Sequence, residues 1–144
     1  MQLQIINNSK NPIPAYATIG SSGMDIRANL ETPVILKTLQ RQLIPSGIYL
    51  ELPYGYEAQI RPRSGLAVKQ GITCLNSPGT IDSDYRGEIM VLLINFSDTD
   101  QEINHGDRIA QMVISKVEIA ELIVVQQLKD TARGTGGFGH TGIK

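Results

Sequence analysis

"GIYLELPYGYEAQIR", residues 47–61, carries the pattern that decides the architecture. Ile48, Leu50 and Leu52 alternate with Tyr49 and Glu51. After Pro53-Tyr54-Gly55, the residues Tyr56, Ala58 and Ile60 alternate with Glu57, Gln59 and Arg61. A period of two places one side-chain set on a core and the other toward water, so both runs are expected to be strands. Further along, "EIMVLLIN" (88–95) is apolar without a break from Ile89 to Ile94, which predicts a strand buried on both faces. "RIAQMVI" (108–114) and "ELIVVQQL" (121–128) are also expected to be strands. Turn signals recur at Pro45-Ser46-Gly47, Ser77-Pro78-Gly79 and His105-Gly106-Asp107. Short strands separated by such turns predict an all-β barrel or sandwich. Only "GLAVKQ" (65–70) is expected to be helical, for a turn or two.

The totals agree with one domain. The chain has 144 residues, and a chain of that size buries about 70% of the surface its unfolded form exposes. Cys74 is the single cysteine, so no internal disulfide forms and folding requires no metal. The formal net charge is −1. Without a run of Lys or Arg, neither a nucleic-acid partner nor an anionic membrane surface is expected. No apolar run is long enough to span a bilayer. The first ten residues lack the basic-then-apolar layout of a signal peptide, so a cytoplasmic protein is expected. Composition changes only near Lys129, where a glycine-rich end begins. The organisation expected is a β domain over 1–131 and an arm over 132–144.

Five stretches carry possible chemistry, and each also has a plain structural reading. In "SSGMDIRAN" (21–29), Asp25 is either a locally bonded turn residue or a functional carboxylate. In "RPRSGLAVKQG" (61–71), Arg63, Ser64 and Gly65 form either a phosphate seat at a helix start or a cationic turn with Ser64 as cap. In "NSPGTIDSDYRGEI" (76–89), a carboxylate beside a tyrosine either orients a water and holds a ring or belongs to a polar turn. In "GDRIAQMVI" (106–114), Gln111 interrupts an apolar strand and is either satisfied internally or aimed at a ligand. "ARGTGGFGHTGIK" (132–144) has five glycines, one Arg, one Phe and one His. It is either a solvated end or a phosphate wrap with a grip in Arg133 and a stacking ring in Phe138. Gly134, Gly136 and Gly139 satisfy G-x-G-x-x-G, but no βαβ unit surrounds them, so the dinucleotide-binding reading fails. His105 and His140 have no partners at zinc-ligand spacing. Cys74 has no evident base.

Together and in this order, the five stretches resemble the five motifs of the trimeric dUTPases, over about residues 21–142. The resemblance implies a distorted jelly-roll or β-barrel of the β-clip kind. It implies a homotrimer with shared active sites, in which the C-terminal arm closes a site formed mainly by neighbouring subunits. The implied reaction is hydrolysis of dUTP to dUMP and pyrophosphate with Mg2+. That keeps uracil out of DNA and supplies dUMP for thymidylate synthesis. Asp82 would activate the water that attacks the α-phosphorus, and Asp25 would hold Mg2+ through water. Arg63, Ser64, Gly65 and Gln111 would hold phosphate oxygens. Asn76 and the hairpin that follows, with Gly79, Thr80, Ile81 and Met90, would bind the nucleoside. Tyr85 would pack under the deoxyribose and leave no space for a 2′-hydroxyl. Arg133, Thr135, Gly136, Gly137 and Gly139 would grip the phosphates, and Phe138 would stack on uracil. A related dCTP deaminase would carry a catalytic Glu where this chain has Leu92, and would lack the fifth motif. An inactive binding module on the same fold would have lost Asp82 or the arm.

Overall fold

The computed structural model describes residues 1–137, and it is almost entirely β. Eleven strands and one helix follow in chain order. They are β1 (Gln4–Asn7), β2 (Met24–Arg27), β3 (Val34–Leu36), β4 (Arg41–Pro45), β5 (Ile48–Glu51) and β6 (Tyr56–Arg61). The helix α1 (Ser64–Gln70) is followed by β7 (Ile72–Cys74), β8 (Gly79–Ile81), β9 (Met90–Asn95), β10 (Gln101–Ile103) and β11 (Arg108–Lys116). The largest sheet has the order β2-β11-β6-β8, and a second has the order β4-β9-β7. Pairs β1-β5 and β10-β3 complete the distorted barrel, and every pairing is antiparallel.

The alternation read in residues 47–61 is realised. Ile48, Leu50, Ala58 and Ile60 are buried while Glu51 and Arg61 are exposed. They join Ile26, Leu36, Ile44, Ile72, Val91, Leu93, Ile103, Ile109 and Met112 in one core. Helix α1 ends at Gly71, whose φ of 64° closes the helix with bonds to Leu66 and Ala67 carbonyls. A side chain there would press on the backbone of Ser97 at 2.8 Å, so this cap position requires glycine.

Two expectations change. The run from Ile89 to Ile94 is not buried on both faces throughout. Val91 and Leu93 point to the core, but Met90 is 41% exposed and Leu92 is half-buried, because one face of β9 opens onto a surface groove. The expected strand over 121–128 does not form. Among the described residues no sheet edge takes its backbone hydrogen bonds, and Val117 N–H to Gly55 C=O, 2.8 Å, is the last backbone bond there from this end to the barrel. Leu122, Ile123, Val124, Val125 and Leu128 stand between 56% and 98% exposed.

Candidate active site

The sequence-predicted residues fall into two separate clusters. The first sits at one end of the four-stranded sheet. Antiparallel register puts Asp25 of β2 opposite Gln111 of β11, and Gln111 opposite Arg61 of β6. Asp25 accepts from two guanidiniums: Arg63 Nε reaches Oδ1 at 2.9 Å, and Arg108 Nη1 reaches Oδ2 at 3.2 Å. Arg63 also donates to the backbone carbonyl of Arg108 at 3.2 Å. The three side chains therefore brace one another, with Asp25 about one quarter exposed. Arg63 is the extended residue before α1, and no side chain caps that helix. This excludes Ser64 as cap and leaves its hydroxyl and the Gly65 backbone exposed. Beside them, a cleft of about 240 Å³ is lined by Ser21, Gly23, Asp25, Arg61 and Gln111.

Arg108 was missed by sequence reading. Its signal was present, since it stands three residues before Gln111 in the fourth stretch. Its aim toward Asp25 follows from an irregularity in the β2–β11 register between Arg108 and Ala110, which a linear pattern does not display.

The second cluster is the loop from Asn76 to Met90. Gly79, Thr80 and Ile81 form β8 and pair with Ile60, Gln59 and Ala58. The Asn76 amide nitrogen lies 3.2 Å from where a Gly79 side chain would begin. Asp82 is exposed at the tip, where its carbonyl accepts from Tyr85 N–H at 3.2 Å. A groove of about 330 Å³ is lined by Leu43, Thr80, Ile81, Asp82, Tyr85, Glu88 and Met90. Its apolar walls and its carboxylate rim suit a flat ring and a water beside it. Ser46, Gly47 and Glu88, also missed, anchor the base of this loop. The Glu88 carboxylate accepts from Gly47 N–H at 2.7 Å, and the buried Ser46 hydroxyl donates to the Ile89 carbonyl.

One chain does not bring the two clusters together. Asp82 lies one residue past the Ile81–Ala58 pair, whereas Asp25 is level with Arg61. Three strand spacings separate them across the sheet and four residues along it. At ~4.8 Å per strand and ~3.4 Å per residue, the carboxylates stand roughly 20 Å apart.

The described part of the arm adds a third, isolated element. Arg133 Nε donates to Gly136 C=O at 2.8 Å, and Gly134 N–H to Thr131 C=O at 3.0 Å. Thr135 and Gly137 are exposed. The assignments to Phe138 and Gly139 lie outside the described residues.

Among the described residues, no three His, Cys, Asp or Glu side chains gather as a metal cage. The donor set suits only a hydrated ion. Each Asp25 oxygen accepts one guanidinium and keeps lone-pair capacity for a water. Mg2+ holds its waters and takes phosphate oxygens readily, so a single carboxylate fits an ion that arrives with a triphosphate. Among the described residues no helix is long and apolar enough to cross a membrane.

A dUTPase family model matches residues 9–142. The chain is 57% identical over 142 residues to the deoxyuridine 5'-triphosphate nucleotidohydrolase of Finegoldia magna, covering 99% of both chains. It is 60% identical over 136 residues to that of Chlamydia pneumoniae, covering 94% of each. Its fold is similar to the Staphylococcus bacteriophage 80alpha dUTPase solved with dUPNHPP, at a TM-score of 0.86 and 25% identity over 99% of both chains.

Proposed function

The chain belongs to the dUTPase family, and we infer from this that it hydrolyses dUTP to dUMP and pyrophosphate. The observation that carries the reading is the family match over nearly the whole chain, which holds the first four stretches entirely and the fifth as far as Gly142. The geometry supports a division of labour. The hairpin groove receives the nucleoside: Asn76 and the backbone of Gly79, Thr80 and Ile81 read the uracil edge, Met90 closes one wall, and Tyr85 lies under the deoxyribose. Asp82, exposed at the rim, accepts a proton from the water that attacks the α-phosphorus. Such help from a positioned base is worth roughly 10²–10⁴ in rate.

The phosphates belong to the other cluster. Arg63, the Ser64 hydroxyl, the Gly65 backbone and Gln111 hold their oxygens, and Arg133, Thr135, Gly136 and Gly137 grip them from the arm. Phe138 stacks on uracil, and Gly139 continues the phosphate wrap. Asp25 is placed to hold Mg2+ through water. When bound, the ion offsets charge on the triphosphate. Phosphoryl transfer needs chiefly positioning and charge stabilisation, and arginines with backbone donors supply both. Substrate phosphates also compete with Asp25 for Arg63, since both offer the guanidinium a charged acceptor.

The roughly 20 Å between Asp82 and Asp25 supports a shared site. We place the hairpin of one subunit against the arginine cluster of another in a homotrimer, with the arm of residues 132–144 closing over both. A cytoplasmic location is proposed with it. The decisive assay incubates the purified protein with dUTP, dCTP and dTTP plus Mg2+, and measures pyrophosphate and ammonia. Pyrophosphate from dUTP alone is expected. Ammonia from dCTP, or no turnover of any of the three, refutes the reading.

A further inference from the structure

Tyr85 is held in place by what its neighbour lacks. The phenol hydroxyl donates to the Glu88 carbonyl at 3.0 Å. To reach it, the ring folds back across Gly87. A Cβ on Gly87 would collide with the Tyr85 hydroxyl oxygen, and would lie 2.5 Å from Cζ and 2.9 Å from Cε2. Gly87 does not have a positive φ. Its backbone suits any residue, so what demands glycine there is the space under the ring.

The base beneath is not free to give way. The Glu88 carboxylate accepts from Gly47 N–H at 2.7 Å. Ile89 is 1% exposed, its N–H donates to Ile48 C=O at 2.8 Å, and its carbonyl accepts from the buried Ser46 hydroxyl. The Tyr85 side chain, 45% exposed, is the movable partner.

We propose that Gly87 is a specificity-determining residue: by leaving room for the Tyr85 ring, it sets the surface that discriminates deoxyribonucleoside from ribonucleoside triphosphates. The inference rests on the reading of Tyr85 as the floor under the sugar. Rejecting one hydroxyl by contact requires the ring to be fixed closely, and displacements of about 1 Å at a positioned group change rates by about 10²-fold. A methyl at position 87 forces a displacement of that order while leaving the backbone and the core untouched.

The test measures kcat/KM for dUTP and for UTP in wild type, Gly87→Ala, Tyr85→Ala and the double variant. Gly87→Ala is expected to lower the dUTP-to-UTP ratio by about 10-fold or more, with an unchanged thermal midpoint. In the Tyr85→Ala background, adding Gly87→Ala is expected to change the ratio no further, since Gly87 acts only through the ring. A wild-type ratio in Gly87→Ala, beside a reduced ratio in Tyr85→Ala, overturns the inference and leaves the sugar reading standing. A reduced ratio in Gly87→Ala that recurs in full on top of Tyr85→Ala overturns it also. If Tyr85→Ala keeps the wild-type ratio, the sugar reading itself is what fails.

Discussion

Two inactive variants mixed in one oligomer should restore activity. The perturbation pairs Asp82→Asn, which removes the proposed proton acceptor, with Arg63→Ala, which breaks the 2.9 Å bond to Asp25 and removes a phosphate ligand. Each variant alone is expected to lose at least about 10²-fold in kcat. The magnitude on mixing follows from the sheet register. Asp82 and the Arg63–Asp25 pair stand roughly 20 Å apart in one chain, beyond the reach of a single triphosphate reacting at one phosphorus. If a site takes the two groups from different subunits, an intact copy of each occurs with probability one half. Random assembly from equal amounts should then leave about one quarter of the sites active. The assay co-expresses the variants with different tags, purifies oligomers that carry both, and measures pyrophosphate release per chain. Selecting for both tags raises the expected yield to about one third in a trimer. If each chain builds its own site, every site carries one lesion and activity stays at the level of the single variants. That result refutes the shared site, however well the chain hydrolyses dUTP.

Other outcomes are expected from the same structure. Burial lifts the Cys74 thiol from 9.0 to about 11, so the folded chain keeps a proton that the unfolded chain releases. Its contribution to stability is therefore full below pH 9 and declines as pH rises from 9 toward 11. Urea titrations across that window should show the decline, and Cys74→Ala should flatten it. Asn95 is 0% exposed and satisfied on both sides, donating to Leu36 and Thr99 carbonyls and accepting from Ser97. Asn95→Ala strands those groups and should cost about 3–5 kcal/mol, a thermal midpoint lower by roughly 10 °C. Deleting residues 132–144 should leave the thermal midpoint unchanged and remove most dUTP turnover, because the bonds of the described arm residues run to one another and to the adjacent Thr131. A deletion that unfolds the protein would make the arm structural.

What the sequence made legible was what repeats locally. A two-residue period located β5 and β6, and the stretch 65–70 marked the one short helix, α1. Residue types and order were enough to nominate Asp25, Arg63, Gln111 and Asp82. Partnerships across the sheet were not legible, because they depend on register. Arg108 meets Asp25 from 83 residues away through a bulged pairing. Glu88 anchors the hairpin through Gly47, 41 residues earlier. The need for glycine at 87 depends on where the Tyr85 ring lies, which no local pattern encodes.

The failed expectation at residues 121–128 points the same way as the divided site. Alternating and β-branched residues report that a segment suits a sheet, not which chain owns that sheet. Here five large apolar side chains remain in water beside a barrel with which the segment pairs no strand. Covering each contributes about 1.5–3 kcal/mol, so the segment as a whole holds on the order of 10 kcal/mol that one chain leaves unrealised. That is comparable to the entire stability of an ordinary domain. The proposed trimer would give the segment a neighbouring surface, and the same association would carry Asp82 of one subunit to Asp25 of another. Stability and chemistry would then depend on one contact. A variant that weakens association, such as Val124→Asp, should therefore lose activity in step with loss of the oligomer, as followed by light scattering across a dilution series. Full activity from a demonstrated monomer would break the link between the two.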